Sequence, residues 1–286
     1  MDQVVKSEHP IVCGKSGGIV LVAETRQTPR YRRRLTQRAH VRPATIFVPQ
    51  NPHETPEHHF PLQTITARST QSRLINRYDS REILILVDGS CINNGNRTEL
   101  GISPSGGCSF TYKGAGRHGP GTAHPFRDGV YNDDGGTVGF PLEKSGPGGE
   151  ACDATSNRAK LRAVIAALEF RAWQEEGWRR IVIATDLEYI AFGATRWLPK
   201  WVRRRWRLAH KAGRVANRDL WEELNGVIES LQGRGTSVAF WLLPPGGVAK
   251  SHSALVRDTK DAAREAAQLP PDAAADEFTR LCGIMV

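Results

Sequence analysis

The chain has 286 residues, enough for one or two domains with a substantial hydrophobic core. Its net charge of +9 favours a polyanionic partner, nucleic acid before an acidic membrane. No apolar run reaches the roughly 18 residues that a membrane-spanning helix needs, and residues 1–10 are polar, without the apolar core of a signal peptide. We therefore expect an intracellular protein, nuclear or cytoplasmic, with no membrane partner.

The cysteines indicate neither a disulfide framework nor a zinc site. There are five, an odd number, and they are spread along the chain without a Cys-x-x-Cys pair. Small secreted domains and zinc sites both need closely spaced or evenly paired cysteines.

Residues 1–80 are predicted to form a weakly structured, basic leader. The cluster Arg30–Arg34 is typical of a nuclear-localisation or nucleic-acid-binding patch, and it is equally typical of a solvated run of charge. Residues 43–63 are rich in Pro and His at spacings that match no standard metal site. Short apolar pieces such as Ile19–Ala23 and Ile46–Val48 can add strands or docking segments to a domain.

The ordered domain is predicted to start near Arg81, with a buried strand over Ile83–Val87. This run is continuously apolar and too short for a helix, which favours a strand covered on both faces. Asp88 follows it, either as the start of a turn or as a functional carboxylate. The run Arg180–Thr185 repeats the pattern and ends at Asp186. Two such carboxylates can meet at the carboxyl edge of a sheet, where α/β folds place their sites.

Further elements follow in chain order. Two short strands are expected over residues 106–113 and 136–144, on either side of a Gly-rich loop. Thr155–Asn157 offers an N-cap for a helix that runs from Arg158 to Trp173 with one apolar face. The remaining predicted elements are a short helix at 188–193, a helix at 217–232, a strand at 237–243, a helix at 258–269 and a loose tail at 270–286.

The segment 196–218 is strongly basic and contains no acidic residue. Three tryptophans are interleaved with its charges, Trp201 among them. Basic side chains can contact phosphates and tryptophan can stack on bases, which favours nucleic-acid binding. The alternative is an amphipathic segment whose tryptophans belong to the core and whose arginines are solvated. The charges that we single out are Lys200, Arg203, Arg204 and Arg205.

As a set, these features resemble the type 1 ribonuclease H family, and in particular ribonuclease H-like proteins of fungi. The resemblance covers about residues 81–268 and includes the order of the elements. The motifs that carry it are Val87–Cys91, Thr155–Ala159 with Leu161–Ala163, Ile183–Asp186 with Tyr189, and Asn217–Trp221.

The resemblance implies an α/β domain over residues 81–269, with a mixed five-stranded sheet flanked by helices. It implies cleavage of the RNA strand of an RNA–DNA hybrid, with two Mg²⁺ ions held by carboxylates. Asp88 and Asp186 match the metal-binding positions, and Asp261 is the third catalytic candidate, after a one-residue shift. The nucleic-acid contacts that it implies are Asn93, Asn157, Lys200, Trp201, Arg203, Arg204, Arg205 and Asn217.

The sequence departs from the family pattern at two carboxylates. Asn157, Arg158 and Leu161 fix a register in which Lys160 stands where the family has a helix Glu. The alanine pattern of the last helix puts Lys260 at its acidic position. A lysine here either repels the metal or occupies its site and pairs with Asp88.

Other side chains can in principle contribute to such a site. His252 resembles a mobile His that some family members place beside the metals, and it is equally well an exposed loop residue. Loop carboxylates that can replace a lost one are Glu143, Glu150 and Asp153.

Three hypotheses follow from these departures. The chain is a hybrid ribonuclease with an altered metal site, or a non-catalytic module of the same fold that binds duplex nucleic acid or a protein partner, or a drifted copy without activity.

Overall fold

The structure is a computed structural model that describes residues 20–25, 44–65, 71–94, 104–114, 136–207, 215–243, 246–247 and 251–284. Its strands are β1 (Val20–Thr25), β2 (Thr45–Ile46), β3 (Leu62–Ile65), β4 (Gln71–Leu74), β5 (Glu82–Ile92), β6 (Ser105–Thr111), β7 (Thr137–Pro141), β8 (Arg180–Thr185), β9 (Ser237–Leu242) and β10 (Thr279–Ile284). Its α-helices are α1 (Pro56–His59), α2 (Ser156–Glu169), α3 (Glu188–Phe192), α4 (Leu198–Arg203), α5 (Arg218–Gly233) and α6 (Ala254–Ala267). None of these helices has the length and apolarity to cross a membrane.

The central sheet is mixed and follows the order β2, β9, β8, β5, β6, β7. Strands β2, β9, β8 and β5 are parallel. Strand β6 pairs antiparallel with β5, and β7 pairs antiparallel with β6. The predicted α/β class and mixed sheet are confirmed. The difference from the predicted five strands is β2, a two-residue strand on the edge beside β9.

Strand β5 is buried on both of its faces, as its continuous apolar run predicts. Ile83, Ile85 and Val87 belong to the larger core, which contains the apolar face of α2. Leu84 and Leu86 belong to a second core on the other side of the sheet. Helix α6 packs on part of this second face, against β5, β6 and β7, and the rest of that face needs apolar cover from elsewhere in the chain.

Part of that cover comes from residues 44–65 and 71–80, for which a weakly structured leader is predicted. Phe60 and Leu74 are almost completely buried against Leu84 and Leu86. The prediction is wrong for these residues, because the exposed face of a central sheet is stable only when apolar side chains cover it. The basic cluster Arg30–Arg34 lies outside the described residues.

The predicted loose tail is also wrong for residues 278–284. Strand β10 pairs antiparallel with β1. The fully buried guanidinium of Arg162 donates a 2.5 Å hydrogen bond to the carbonyl oxygen of Thr279 and lies over the ring of Phe278, 4.4 Å from its centroid. A buried guanidinium needs such partners, so the tail contributes to the fold.

The hairpin β3–β4 offers a test of whether this N-terminal segment is part of the stable domain. Leu62 and Leu74 are cross-strand partners, but Leu74 is 1% exposed and Leu62 is 44% exposed. We expect Leu74→Ala to lower the free energy of unfolding by about 2–5 kcal/mol, because it leaves a cavity in the second core. Urea unfolding followed by circular dichroism measures this change. The matched control Leu62→Ala should cost much less; equal effects of the two variants would contradict the assignment.

Candidate functional site

Two aspartates meet at the carboxyl edge of the parallel strands β5 and β8. Asp88 lies in β5 and Asp186 directly follows β8, its neighbour in the sheet. The backbone N–H of Gly89 donates a 2.6 Å hydrogen bond to Oδ1 of Asp88. The predicted convergence of the two carboxylates is therefore found in the structure, although β5 continues past Asp88 to Ile92 instead of ending there.

Helix α2 lies unusually close to this end of β5, and Gly89 makes that possible. A Cβ atom on Gly89 would meet the backbone nitrogen of Lys160 at 2.3 Å and the carbonyl carbon of Ala159 at 2.5 Å. The start of α2 is fixed by Thr155, whose hydroxyl accepts a hydrogen bond from the N–H of Arg158. The glycine and the cap together bring residue 160 beside Asp88.

The ammonium of Lys160 lies between the two carboxylates. It is 2.7 Å from Oδ1 of Asp88 and donates a short hydrogen bond to Oδ1 of Asp186. Burial by itself lowers the pKa of Lys160, but the charges of Asp88 and Asp186 and their hydrogen bonds outweigh it, so the pKa is raised above its ordinary value of 10.5. Lys160 is therefore protonated at neutral pH and compensates both carboxylates.

This arrangement does not fit a divalent metal ion. An ion on the same carboxylate oxygens would lie within about 4 Å of the ammonium, where repulsion amounts to about 8 kcal/mol at an effective dielectric constant of about 20. Among the described residues, no group of three or more His, Cys, Asp or Glu side chains is placed to hold a metal.

Helix α6 contributes Lys260 to this edge instead of the predicted Asp261. Lys260 lines a surface pocket together with Asp88, Asp186 and the neighbouring strand-end residues. The side chain of Asp261 is 51% exposed and pairs with Arg264 at 3.3 Å. The prediction of Asp261 as a catalytic residue is wrong, because a step of one residue turns a side chain by about 100° around the helix.

The other predicted replacements do not line this pocket either. Glu143 is 2.7 Å from the guanidinium of Arg162, below the surface on the far side of α2. His252 is exposed and its Nδ1 lies 3.0 Å from the hydroxyl of Ser251. Glu150 and Asp153 are exposed and are not among the described residues that line the pocket.

The tryptophans of the basic segment form a packed group. Trp201 contacts the rings of Trp197, Trp206 and Trp221 at centroid distances of 5.9, 6.4 and 5.4 Å. These rings pack α4 against α5, as predicted for the tryptophans by the alternative of an amphipathic segment. Lys200, Arg203, Arg204 and Arg205 are exposed, so the charges stay accessible to a ligand.

The predicted asparagines lie just after β5, in the first turn of α2 and just before α5. Asn157 is exposed in the first turn of α2, and Asn93 follows β5 in a left-handed conformation, φ 60°. Asn217 precedes α5, where its side chain accepts a hydrogen bond from Arg158 and donates one to the hydroxyl of Tyr189. All three stay predicted nucleic-acid contacts.

One structural contact of this region was not predicted from the sequence. Arg158 is buried and forms a bidentate ion pair with Asp219, at 2.5 Å for the shorter contact. It joins the starts of α2 and α5 and holds Asn217 in place. The only indication of this ion pair in the sequence is a charged residue in the first turn of each of the two helices.

The comparison with known proteins agrees with this fold. Residues 107–234 match the RNase H family model. The chain is 44% identical over 78 residues to the ribonuclease H of Cyanothece sp., which covers 27% of this chain and 48% of that protein. It is 44% identical over 87 residues to the ribonuclease H of Xanthomonas oryzae pv. oryzae, with 30% and 54% covered. The chain thus spans about half the length of the curated relatives that it matches.

The crystal structure of LC9-RNase H1 is 25% identical and covers 65% of this chain and 72% of its own, with a TM-score of 0.40. A score of this size adds no weight to the fold assignment, which depends on the strand order and the family match. Lys160 and Asp186 lie within the residues that match the RNase H family model. The resemblance to fungal members stays a prediction.

The ion pair at residue 160 can be tested through stability. The side chains of Asp88 and Asp186 are only 11% and 18% exposed, and Lys160→Met leaves their negative charges without a cation. We therefore expect a loss of about 3 kcal/mol in the free energy of unfolding at neutral pH. Because the folded-state pKa of Lys160 is raised, its contribution is complete below pH 10.5 and disappears as pH rises through the folded-state value. Denaturant unfolding from pH 7 to pH 11.5 measures the difference from the unsubstituted protein.

Lys144 is the matched control, since it pairs with Asp276 at 2.8 Å on the exposed surface. Lys144→Met should change stability by less than about 1 kcal/mol at every pH. A Lys160→Met variant as stable as the unsubstituted protein would show that the ion pair contributes nothing.

Proposed function

We propose that this chain is a ribonuclease H-family domain that binds RNA–DNA hybrid and in which Lys160 prevents two-metal cleavage. The observation that carries the proposal is the Lys160 ammonium between the carboxylates of Asp88 and Asp186. Hybrid is the ligand that the family implies; another duplex or a protein partner is the alternative.

Three features of the molecule support a nucleic-acid ligand. The relatives that the chain matches are named ribonuclease H. The chain is basic, with a net charge of +9, and such a charge attracts phosphate backbones. The exposed side chains of Arg203, Arg204 and Arg205 form a charged surface beside the α5 helix, whose first residues contact Arg158 at the start of α2.

The electrostatics of the edge support the loss of metal-dependent cleavage. Two closely spaced divalent ions need several carboxylates to offset their mutual repulsion. Among the described residues that line the pocket, the carboxylates are those of Asp88 and Asp186, and the Lys160 ammonium forms an ion pair with each of them. A metal would have to displace an ammonium that is already held by two charge-assisted hydrogen bonds.

A second candidate function is retained cleavage of the RNA strand with Mg²⁺. It is favoured by the family match and by the two aspartates at adjacent strand ends. It requires that Lys160 leave the carboxylates when substrate and metal arrive.

A cleavage assay on a labelled RNA–DNA hybrid separates the two candidates. We expect no Mg²⁺-dependent product from the unsubstituted protein, because Lys160 holds the metal-binding oxygens. Lys160→Glu and Lys160→Glu/Lys260→Asp restore carboxylates stepwise, and the double variant should cleave the faster of the two if the edge is otherwise intact. Mg²⁺-dependent cleavage by the unsubstituted protein that is lost in Asp186→Asn would establish the second candidate instead.

Hybrid binding itself is tested at the basic segment. We expect Arg203→Ala/Arg204→Ala/Arg205→Ala to weaken binding and to reduce the slope of log affinity against log salt by about 2 to 3, since each phosphate contact releases about one counterion. Fluorescence anisotropy of a labelled hybrid between 50 and 200 mM salt measures both quantities.

A matched control removes three exposed arginines from the opposite edge of the sheet. Arg81, Arg179 and Arg234 stand at or before the starts of the strands that end near Asp88 and Asp186. Their replacement by alanine makes the same change in net charge. If both triple variants bind alike, the segment at 203–205 is not the binding surface.

A further inference from the structure

Lys260 is a second lysine at this site, and it takes no part in the ion pairs of Lys160 with Asp88 and Asp186. It lines the same pocket as Asp88 and Asp186. Its ammonium has no hydrogen-bond or ion-pair partner among the side chains that the structure describes. An ammonium without such a partner beside this pocket is available for an anion.

The position of Lys260 is fixed by its neighbour in the helix. Thr259 is 1% exposed, and its hydroxyl lies 2.7 Å from the hydroxyl of Thr111 in β6. The hydroxyl of Ser109 donates a 2.5 Å hydrogen bond to the carbonyl oxygen of Thr259. Helix α6 therefore cannot turn about its axis without breaking buried hydrogen bonds, and Lys260 stays at the pocket.

The charges at this edge sum to zero in the absence of metal. Asp88 and Asp186 contribute two negative charges, while Lys160 and Lys260 contribute two positive charges. A family site with carboxylates at residues 160 and 260 would instead carry four negative charges and would repel a phosphate until cations bind. The two lysines therefore remove the electrostatic need for metal in phosphate binding.

We propose that Lys260 binds a backbone phosphate of nucleic acid at this edge directly, so that the domain holds its ligand without divalent metal. Lys160 neutralises the two aspartates, and Lys260 supplies the positive charge that faces the phosphodiester. The inference deepens the proposed hybrid binding and rests on it.

The test compares the affinity of the full chain for a labelled RNA–DNA hybrid in EDTA and in Mg²⁺ at matched ionic strength. The unsubstituted protein should bind within twofold under both conditions. Lys260→Gln should weaken binding several-fold and lower the salt slope by about 1, the value for one phosphate contact. Lys260→Arg should keep most of the affinity, because a guanidinium also binds phosphate.

Lys144→Gln is the control for net charge, because Lys144 pairs with Asp276 away from the pocket. It should leave affinity and salt slope unchanged, and urea unfolding should confirm that Lys260→Gln remains folded. The double variant Lys160→Glu/Lys260→Asp should bind weakly in EDTA and regain affinity in Mg²⁺, since its edge again needs cations.

The outcomes separate this inference from the function on which it rests. If the unsubstituted protein binds hybrid but Lys260→Gln behaves like Lys144→Gln, the phosphate contact at Lys260 is disproved and hybrid binding stands. Binding that requires Mg²⁺ in the unsubstituted protein also disproves it. If the unsubstituted protein does not bind hybrid at all, both the function and this inference fail.

Discussion

The ammonium of Lys160, held between the carboxylates of Asp88 and Asp186, decides what the carboxyl edge of this sheet can do. Two aspartates this close together on neighbouring strands would repel each other unless a cation lay between them. Here the cation is part of α2, the helix that packs on β5. Charge compensation at the edge is therefore built into the fold, and it exists whenever the domain is folded.

That compensation depends on a backbone feature as much as on the charges. Gly89 lets the backbone of α2 approach β5 to a distance that a Cβ atom would block. With the helix further away, the side chain of Lys160 would have to span a longer gap to both carboxylates. The same close approach would bring a glutamate at this position to the same place, so the scaffold is suited to a side chain of either charge.

The core of the fold and half of the site could be predicted from sequence because their signals are local. The apolar runs before Asp88 and Asp186 predict buried parallel strands, and the cap at Thr155 sets the register that places Lys160 at the edge. The pieces Ile19–Ala23 and Ile46–Val48, considered as added strands, overlap β1 and β2. The hairpin β3–β4 and the tail could not be predicted, since their burial depends on contacts with residues far away in the chain. The mistake at Asp261 is of another kind: the alanine pattern of the helix already places Lys260 at the pocket, and Asp261 fits only after a shift of one residue.

Metal ions and lysines neutralise the negative charge of carboxylates in different ways. A bound metal can exchange, can keep open coordination positions and can contact a substrate oxygen directly. The Lys160 ammonium has three N–H groups, and at least two of them are used by Asp88 and Asp186. It stabilises the edge permanently and leaves little capacity for a reacting group. Binding at this edge can therefore persist where metal chemistry does not, because a phosphate needs only a neutral surface and one free cation, and the neighbouring helix provides that cation at Lys260.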